Sequence, residues 1–387
     1  VRGAGGLLVP GFWNGHVHLF TAEGTERDLL ARARNVLGPR WLEAGVTTVV
    51  DLGAPTAIAL AWRTAARARD IQAPRAVVSG QLLGGVNRYA PGAAWNAQVG
   101  TADAAVDSVD ALLAAGVDLI KVHDFLRADA WGAIVDRAAA RDAIVTGHLS
   151  PSVGVADAVA RGHRHIQHLG PELLAVCTPD TRARVAAWYD DWIRNGWTSF
   201  AEGSTRLWAD RDRATCEATL RGLAAEGLTV TPTVSHRLVM EAAQAAEGRW
   251  IDETAREVCR GSVEQWGGVE QAARDRYRAT LQEWLRAAHA AGVRLVAGTD
   301  GPGVCLPPGS LALELEEFVA AGIPPLAALR AATRNAADAH GSETLGRIEF
   351  GAMADLVLLD ADVLTDIRLV RAPRLVVRGG RIVAGNN

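Results

Sequence analysis

The chain has 387 residues, 49% of them hydrophobic, which is enough to bury one large core. Its formal charge of -4 and pI near 6.2 come from acidic and basic residues spread along the whole chain, so no basic face for nucleic acid or anionic lipid stands out. No apolar run is long enough to cross a bilayer. We therefore expect a cytoplasmic protein whose partner is a small molecule, with no nucleic-acid or membrane partner; a homo-oligomer is compatible with this composition.

Eight short apolar or β-branched runs alternate with longer stretches rich in Ala, Arg and Glu at helical spacing. This alternation is typical of repeated βα units around a parallel sheet, and eight units predict a closed (β/α)8 TIM barrel of the α/β class. The predicted strands are residues 11–19, 46–52, 75–81, 117–122, 143–148, 164–168, 228–234 and 293–300. The predicted helices between the early strands are 25–44, 54–70, 102–115, 128–141 and 153–161.

Two connections, 171–227 and 235–292, are much longer than the others and follow the sixth and seventh predicted strands. Loops at this end of a barrel overhang its active face, so we expect helical cap insertions here. Both segments are rich in tryptophan. Most of these rings should pack the cap on the barrel, and one or two could line a pocket for an apolar substrate.

The end of the chain predicts a second, smaller unit. Residues 310–321 and 324–339 are predicted helices, and 354–359 and 374–384 are predicted strands. We therefore expect a barrel domain over 9–343 and a small appended β-sheet, the remnant of a β-sandwich, from 1–8 plus 344–387. Because so little chain precedes the first barrel strand, we expect the natural protein to begin earlier and this sheet to lack partner strands.

The four cysteines are far apart in the sequence. Cys177, Cys216, Cys259 and Cys305 form no Cys-x-x-Cys pair, so the spacing indicates neither a thiolate metal site nor a disulfide framework. We expect them to be ordinary reduced or buried thiols.

Lysine usage singles out one residue. Of the 40 basic residues, every one except Lys121 is arginine. Arginine stays protonated, whereas a desolvated lysine amine can lose its proton and react with carbon dioxide or a carbonyl. Lys121 is therefore a candidate catalytic residue.

Six metal-ligating or reactive side chains occur at the ends of predicted barrel strands, where a barrel places its catalytic groups. His16 and His18 alternate on the first strand, so both imidazoles should point to the same side. Lys121 ends the fourth strand, while His148 and His168 end the fifth and sixth and form a second pair of possible metal ligands. Asp300 ends the eighth strand, which adjoins the first when the barrel closes.

The order His-x-His, Lys, His, His, Asp on successive strands resembles the binuclear amidohydrolase superfamily, and in particular its imidazolonepropionase-like and prolidase-like members. The resemblance extends through residues 8–18, 45–53, 297–300 and 351–360. It implies that His16, His18 and Asp300 bind one metal ion and His148 and His168 a second, with a carboxylated Lys121 bridging both. Zinc suits these donors, with manganese, cobalt or iron as alternatives. Asn14 and Gln167 differ from the aspartate and glutamate that relatives often carry there, but neither is a metal ligand.

Two metal ions can share a hydroxide that attacks a carbonyl at neutral pH, and Asp300 would serve as general acid and base. The leading hypothesis is a peptidase-like hydrolase of the C–N amide bond in an N-acyl amino acid or dipeptide ending in a carboxylate. The same centre could act on a lactone, carbamate or phosphotriester. A mononuclear deaminase-like enzyme and a non-catalytic scaffold are further alternatives.

Other polar residues near strand ends are candidate substrate contacts. His123 follows Lys121 by two residues, and His236 and Arg237 follow the seventh strand. Arg88 and Tyr89 lie in a glycine-rich loop that lacks the features of a phosphate cradle. The second His-x-His pair, His163 and His165, alternates out of phase with His168 and should face the outer, helix-packed side of the barrel.

Overall fold

The computed structural model of the chain describes residues 2–3, 5–20, 25–69, 71–85, 93–238, 259–260, 263–264, 266–301 and 306–385. Within these ranges the chain forms a parallel β/α barrel and a separate antiparallel sheet. Arg88, Tyr89 and Cys305 lie outside the described residues.

Eight parallel strands form the barrel wall. They are β3 (Phe12–Val17), β4 (Val46–Asp51), β5 (Arg75–Val78), β8 (Ile120–Val122), β9 (Val145–Gly147), β10 (His165–Gln167), β11 (Thr229–Thr231) and β12 (Arg294–Leu295). Two short strands, β6 (Leu82–Gly84) and β7 (Asn96–Gln98), extend the sheet beside β8. The Asp118 amide donates to the Val78 carbonyl at 2.9 Å, and Val17 bridges to Gly301 in parallel, so the wall closes. The predicted TIM barrel is confirmed.

Helices cover the outside of the barrel and its active end. Those before the cap are α1 (Glu26–Arg32), α2 (Gly38–Glu43), α3 (Thr56–Ala68), α4 (Ala102–Ala115), α5 (Ala128–Ala139) and α6 (Val155–Arg161). The later ones are α7 (Pro171–Leu174), α8 (Thr181–Asn195), α9 (Trp197–Ala209), α10 (Arg213–Ala225), α11 (Val234–Arg237), α12 (Gln271–Ala290), α13 (Leu311–Ala320), α14 (Pro325–Ala331) and α15 (Arg334–Ala339). The single helix predicted over 324–339 is wrong, because Thr333 leaves the helical conformation (φ -137, ψ -95) and separates α14 from α15.

Part of the barrel interior is filled with apolar side chains. Trp13, Val50, Leu52, Leu119 and Val296, from strands around the wall, pack together, and α15 covers them with Ala336 and Ala337.

Both ends of the described chain contribute to one antiparallel sheet. Its order is β1 (Arg2–Gly3), β2 (Gly6–Pro10), β13 (Leu356–Leu359), β14 (Leu375–Arg378) and β15 (Arg381–Gly385). Strand β2 pairs with β13 in the register Val9 to Val357, so residues from both predicted parts of the small unit lie in one sheet. The domain boundaries at 9 and 343 stay a prediction.

The first long connection forms four helices, α7 to α10, beside the carboxyl ends of β10 and β11. A disulfide joins Cys177, just after α7, to Cys216 on α10, with their Cα atoms 4.9 Å apart. The prediction of reduced thiols is thus wrong for this pair. Sequence spacing could not reveal it, because 39 residues and two helices separate the two cysteines along the chain.

Candidate metal centre and substrate cavity

The six residues predicted from the strand ends converge at the carboxyl end of the barrel. The Nε2 atoms of His16 and His18 are 3.2 Å apart, and each lies 3.1 Å from Asp300 Oδ1. His168 Nε2 is 3.9 Å from Asp300 Oδ2, and the rings of His148 and His168 are 4.6 Å apart. Lys121 is fully buried among them, and burial, followed by the charge of Lys121, lowers the pKa of both His16 and His148. We refer to these residues as the six-residue cluster.

Left-handed backbone at two strand ends turns side chains into this cluster. His168 and Asp300 have φ of 65° and 63°, a conformation that residues other than glycine seldom adopt and that often marks functional sites. Adjacent residues of a regular strand point to opposite faces. At His168 the chain departs from that pattern, so both Gln167 and His168 contribute to the same interior.

Each of the four imidazoles has its Nδ1 atom held by the surrounding fold. The partners are Gln167 Oε1 for His16 (2.8 Å), the Gly53 carbonyl for His18 (3.4 Å), Asp124 Oδ1 for His148 (2.9 Å) and Thr233 Oγ1 for His168 (2.6 Å). In His16, His18 and His148 the partner of Nδ1 is an acceptor, which favours a proton on Nδ1 and leaves Nε2 of a neutral ring as a possible metal donor. Such partners orient imidazoles for metal binding.

The chemistry of this arrangement fits a cation. Two imidazole nitrogens and a carboxylate oxygen face one another at 3.1 to 3.2 Å. Two nitrogens bound tetrahedrally to one zinc ion would be roughly 3.4 Å apart. Burial lowers the pKa of His16 to about 3 and holds those of His148 and His168 well below the usual value. These imidazoles are therefore neutral and free to donate their lone pairs.

The Lys121 amine also has the properties expected of a group that reacts with carbon dioxide. Among the described residues, no atom forms a hydrogen bond with its buried Nζ, and burial lowers its pKa to about 7. A substantial fraction of the amine is thus neutral and nucleophilic near pH 7. This is the state that carboxylation by carbon dioxide requires.

The described residues contain two groups of three side chains whose ligand atoms lie within 4.8 Å of one another: His16, His168 and Asp300, and His123, Asp124 and His148. The second group brings in Asp124, which sequence reasoning missed. Its position, three residues after Lys121 at the same strand end, was the available signal. The predicted candidate His123 lies beside it, with its ring 4.2 Å from that of His148.

A cavity of about 140 Å³ opens beside the cluster, between the barrel and the cap. Its outer side is formed by four aromatic residues of α8 and α9, which we call the cap wall: Trp188, Tyr189, Trp192 and Phe200. Two predicted candidates also line it. His236 Nδ1 lies 3.4 Å from Asp300 Oδ2, and the Arg237 guanidinium lies over the Phe200 ring at 5.3 Å.

Two polar groups of the cavity have few hydrogen-bond partners among the described residues. Arg237 Nε is buried and has no hydrogen-bond partner among the described residues. Glu172 on α7 is buried and accepts a hydrogen bond from the Tyr189 hydroxyl at 3.0 Å. Burial raises the pKa of Glu172 to about 8, so its carboxyl group is largely protonated at neutral pH.

The second His-x-His pair does not lie where we predicted. His163 contacts Trp131 on the outer helix α5, as expected. His165 instead hydrogen-bonds Thr231 at 2.8 Å and lies 3.3 Å from Gln167 Nε2. The prediction for His165 is wrong because it assumed that His168 keeps the strand alternation, whereas the left-handed turn places His168 and Gln167 in the same interior.

Comparison with known proteins agrees with this geometry. The sequence profile of the amidohydrolase family matches residues 7–383. The chain belongs to the amidohydrolase family, which confirms the predicted family and the class of hydrolases acting on carbon–nitrogen bonds. Members of this family generally use metal ions, and the residue groups described above could hold them.

Among individual proteins, the ochratoxinase of Aspergillus niger is 33% identical over 128 residues, 32% of this chain and 25% of the ochratoxinase. That alignment thus spans about a quarter of the relative's length. A prolidase structure complexed with N-methylphosphonate-L-proline is similar over 99% of this chain and 88% of its own, with TM-score 0.68 and 21% identity. A Xaa-Pro dipeptidase structure with bound methionine covers 97% of this chain and 86% of its own, with TM-score 0.65 and 18% identity. These structural likenesses show the fold.

No helix among the described residues is long and apolar enough to cross a membrane.

Proposed function

We propose that this chain hydrolyses the C–N amide bond of a small substrate that carries a carboxylate, such as an N-acyl amino acid or a dipeptide. The observation that carries the proposal is the convergence of imidazole nitrogens on Asp300, 3.1 Å away for His16 and His18, beside the buried Lys121 amine. Imidazole nitrogens and a carboxylate oxygen brought together in a buried site are the donor set that a divalent cation prefers.

The cluster offers ligands for two divalent ions. His16, His18 and Asp300 would hold one ion and His148 and His168 the other, with carboxylated Lys121 between them. Zinc suits mixed imidazole and carboxylate donors, and manganese, cobalt or iron are alternatives. Bound ions of this kind supply a nucleophile from water at neutral pH and polarise the scissile carbonyl.

Asp300 is placed to move the proton. Its Oδ1 faces His16 and His18, while its Oδ2 faces His236 at 3.4 Å. Burial lowers the pKa of His236 to about 4, so this imidazole is neutral and can hydrogen-bond the carboxylate or the substrate carbonyl. Asp300 would accept the proton of the attacking water and return it to the departing amine.

The cavity favours a carboxylate with an apolar group beside it. Arg237 presents a buried guanidinium nitrogen that a substrate carboxylate could satisfy. The cap wall offers aromatic surface, and a cavity of about 140 Å³ is close to the roughly 150 Å³ that accommodates benzene. A single side chain or ring therefore fits. The prolidase bound to N-methylphosphonate-L-proline and the Xaa-Pro dipeptidase among the structural neighbours support a substrate of dipeptide size.

The experiment is to measure metal content by elemental analysis of protein prepared with bicarbonate and zinc or manganese. We expect about two ions per wild-type chain, clearly fewer in Lys121→Ala and His148→Ala, and no change in His289→Ala, which alters an exposed histidine on α12. The rate of hydrolysis of N-acyl amino acids and dipeptides should decrease in these variants as the metal content decreases. One ion or none in folded wild-type protein, or full activity in Lys121→Ala, would contradict the proposal.

A further inference from the structure

A buried carboxylate outside the cavity holds one of the loops that line it. Glu314 on α13 is fully buried. Its Oε1 accepts the Val234 amide proton at 3.0 Å, and its Oε2 accepts that of Ser235 at 2.8 Å. Burial raises the pKa of Glu314 to about 7, and the two backbone N–H donors oppose that rise. Glu314 thus satisfies both N–H groups at the start of α11, which have no partner within that short helix.

The segment held in this way, residues 233–237, carries three groups of the site. We call it the 233–237 turn. Thr233 begins it and places its hydroxyl 2.6 Å from His168 Nδ1. His236 reaches Asp300, and Arg237 lies over Phe200 in the cavity. One displacement of this turn would therefore disturb a predicted metal ligand and two predicted substrate contacts together.

Thr233 adopts a conformation that it would not keep by itself. Its φ of 48° and ψ of 48° are left-handed, and a β-branched residue is a genuine outlier there. Such a conformation persists only where the surrounding structure determines it. The two hydrogen bonds that Glu314 accepts from the residues immediately after Thr233 hold the backbone in this conformation. Thr233 itself forms no side-chain cap that could do so.

We propose that Glu314 is a positioning residue of this enzyme: by holding the Val234 and Ser235 amides it keeps the Thr233 hydroxyl on His168 and Arg237 in the cavity. This inference rests on the proposed function, because it gives His168 and Arg237 their roles there. Glu314 touches neither substrate nor metal in this scheme and acts only through the 233–237 turn.

The test compares four variants with the wild type. Glu314→Gln keeps the shape but replaces one acceptor by an amide donor that cannot bind a backbone N–H. Thr233→Val removes the hydroxyl at constant shape, and Thr233→Ser keeps it. Glu317→Gln is the matched control, since Glu317 is also buried on α13 but pairs with Arg278 and Gln282 instead of the turn.

Two quantities are measured: metal retained per chain against increasing chelator, and kcat and KM for an N-acyl amino acid. Loss of an outer partner of a ligating histidine typically weakens metal binding 10- to 100-fold. We expect this weakening of metal binding in Glu314→Gln and Thr233→Val. Metal binding by Thr233→Ser should be close to that of the wild type, and that of Glu317→Gln should be unchanged. Glu314→Gln should also raise KM more than it lowers kcat, because Arg237 moves with the turn, whereas Thr233→Val should not.

The outcomes separate this inference from the proposed function. Wild-type protein that holds metal, with Glu314→Gln indistinguishable from Glu317→Gln in chelator resistance and KM, would overturn the positioning role alone. Wild-type protein without metal would overturn the proposed function. In that case amide hydrogen exchange at Val234 and Ser235 still decides whether Glu314 holds the turn: faster exchange in Glu314→Gln than in Glu317→Gln supports it, and equal exchange overturns it.

Discussion

The six-residue cluster and the cap side of the cavity differ in how far the fold already satisfies their polar atoms. Every imidazole of the cluster has its Nδ1 bonded to a barrel residue or to the loop that follows a strand. On the cap side, Arg237 Nε has no partner in the described chain and Glu172 has only the Tyr189 hydroxyl as a side-chain partner. The difference indicates that the cluster is preorganised before substrate arrives, whereas the cap side keeps polar atoms available for it.

The largest expected effect is on the cluster side. Asp300→Asn removes the proton acceptor at the centre of the imidazoles, so kcat should fall by about 10² to 10⁴. Steady-state kinetics with metal content measured on the same sample checks this. If the fall only parallels metal loss, Asp300 is a ligand and nothing more. Activity within a few-fold of wild type would remove it from the mechanism.

Arg237→Met tests the cap side. Loss of a charge-assisted hydrogen bond to a substrate carboxylate should lower kcat/KM about 10- to 100-fold. The corresponding amide without a carboxylate should react at an unchanged rate. Arg211→Met is the matched control, because Arg211 also stacks on an aromatic ring of the cap, Trp208, at 4.2 Å. Equal losses on both substrates would show that Arg237 does not recognise the carboxylate.

Asp124→Asn tests whether the outer hydrogen-bond partner of one imidazole in the six-residue cluster supports metal binding. The carboxylate accepts from His148 Nδ1, and an outer partner of this kind is worth about 10- to 100-fold in metal affinity. Competition with a chelator should show that weakening, while Asp129→Asn, which alters an exposed carboxylate on α5 paired with Arg127, leaves the affinity unchanged. Unaltered affinity in Asp124→Asn would mean that the geometry of His148 does not depend on it.

The last prediction concerns stability. The pKa of Glu172 is raised from 4.5 to about 8 in the folded chain. The folded state therefore binds this proton more tightly than the unfolded state, and stability falls as pH rises from about 4.5 through 8. Glu172→Gln cannot ionise. The free energy of unfolding of this variant, relative to that of the wild type, should therefore increase by up to about 1.4 kcal/mol for each unit that the pH rises. Urea unfolding from pH 5 to 8 measures this, and a pH-independent difference would contradict it.

The barrel and the cluster could be predicted because they follow from local patterns. Strand runs alternate with helical stretches, and ligands placed at successive strand ends must meet when the barrel closes. The family prediction drew on the same motifs. Here local periodicity and the overall fold lead to the same answer.

The features of the site that were not predicted depend on contacts between residues remote in sequence. Glu314 supports the 233–237 turn from 79 and 80 residues away, and nothing in its surroundings in the sequence indicates that role. Thr233 and Asp124 are missed because a hydroxyl or carboxylate near a strand end has no fixed partner until the fold is known. The prediction for His165 is wrong for another reason, because strand alternation does not extend across a left-handed residue.

The disulfide has a consequence for the cap wall. The loop that it closes runs from Cys177 to Cys216 and contains all four aromatic residues of that wall. A covalent ring spanning 39 residues removes about 4 kcal/mol of chain entropy from the unfolded state in the loop-closure model, so it stabilises the folded form of the segment that carries the cap wall. Reduction of this disulfide by a thiol reductant, often added during protein purification, would therefore destabilise the segment that carries the cap wall while the histidines remain anchored in the barrel. Preparations with the same metal content could then differ in the substrates they accept.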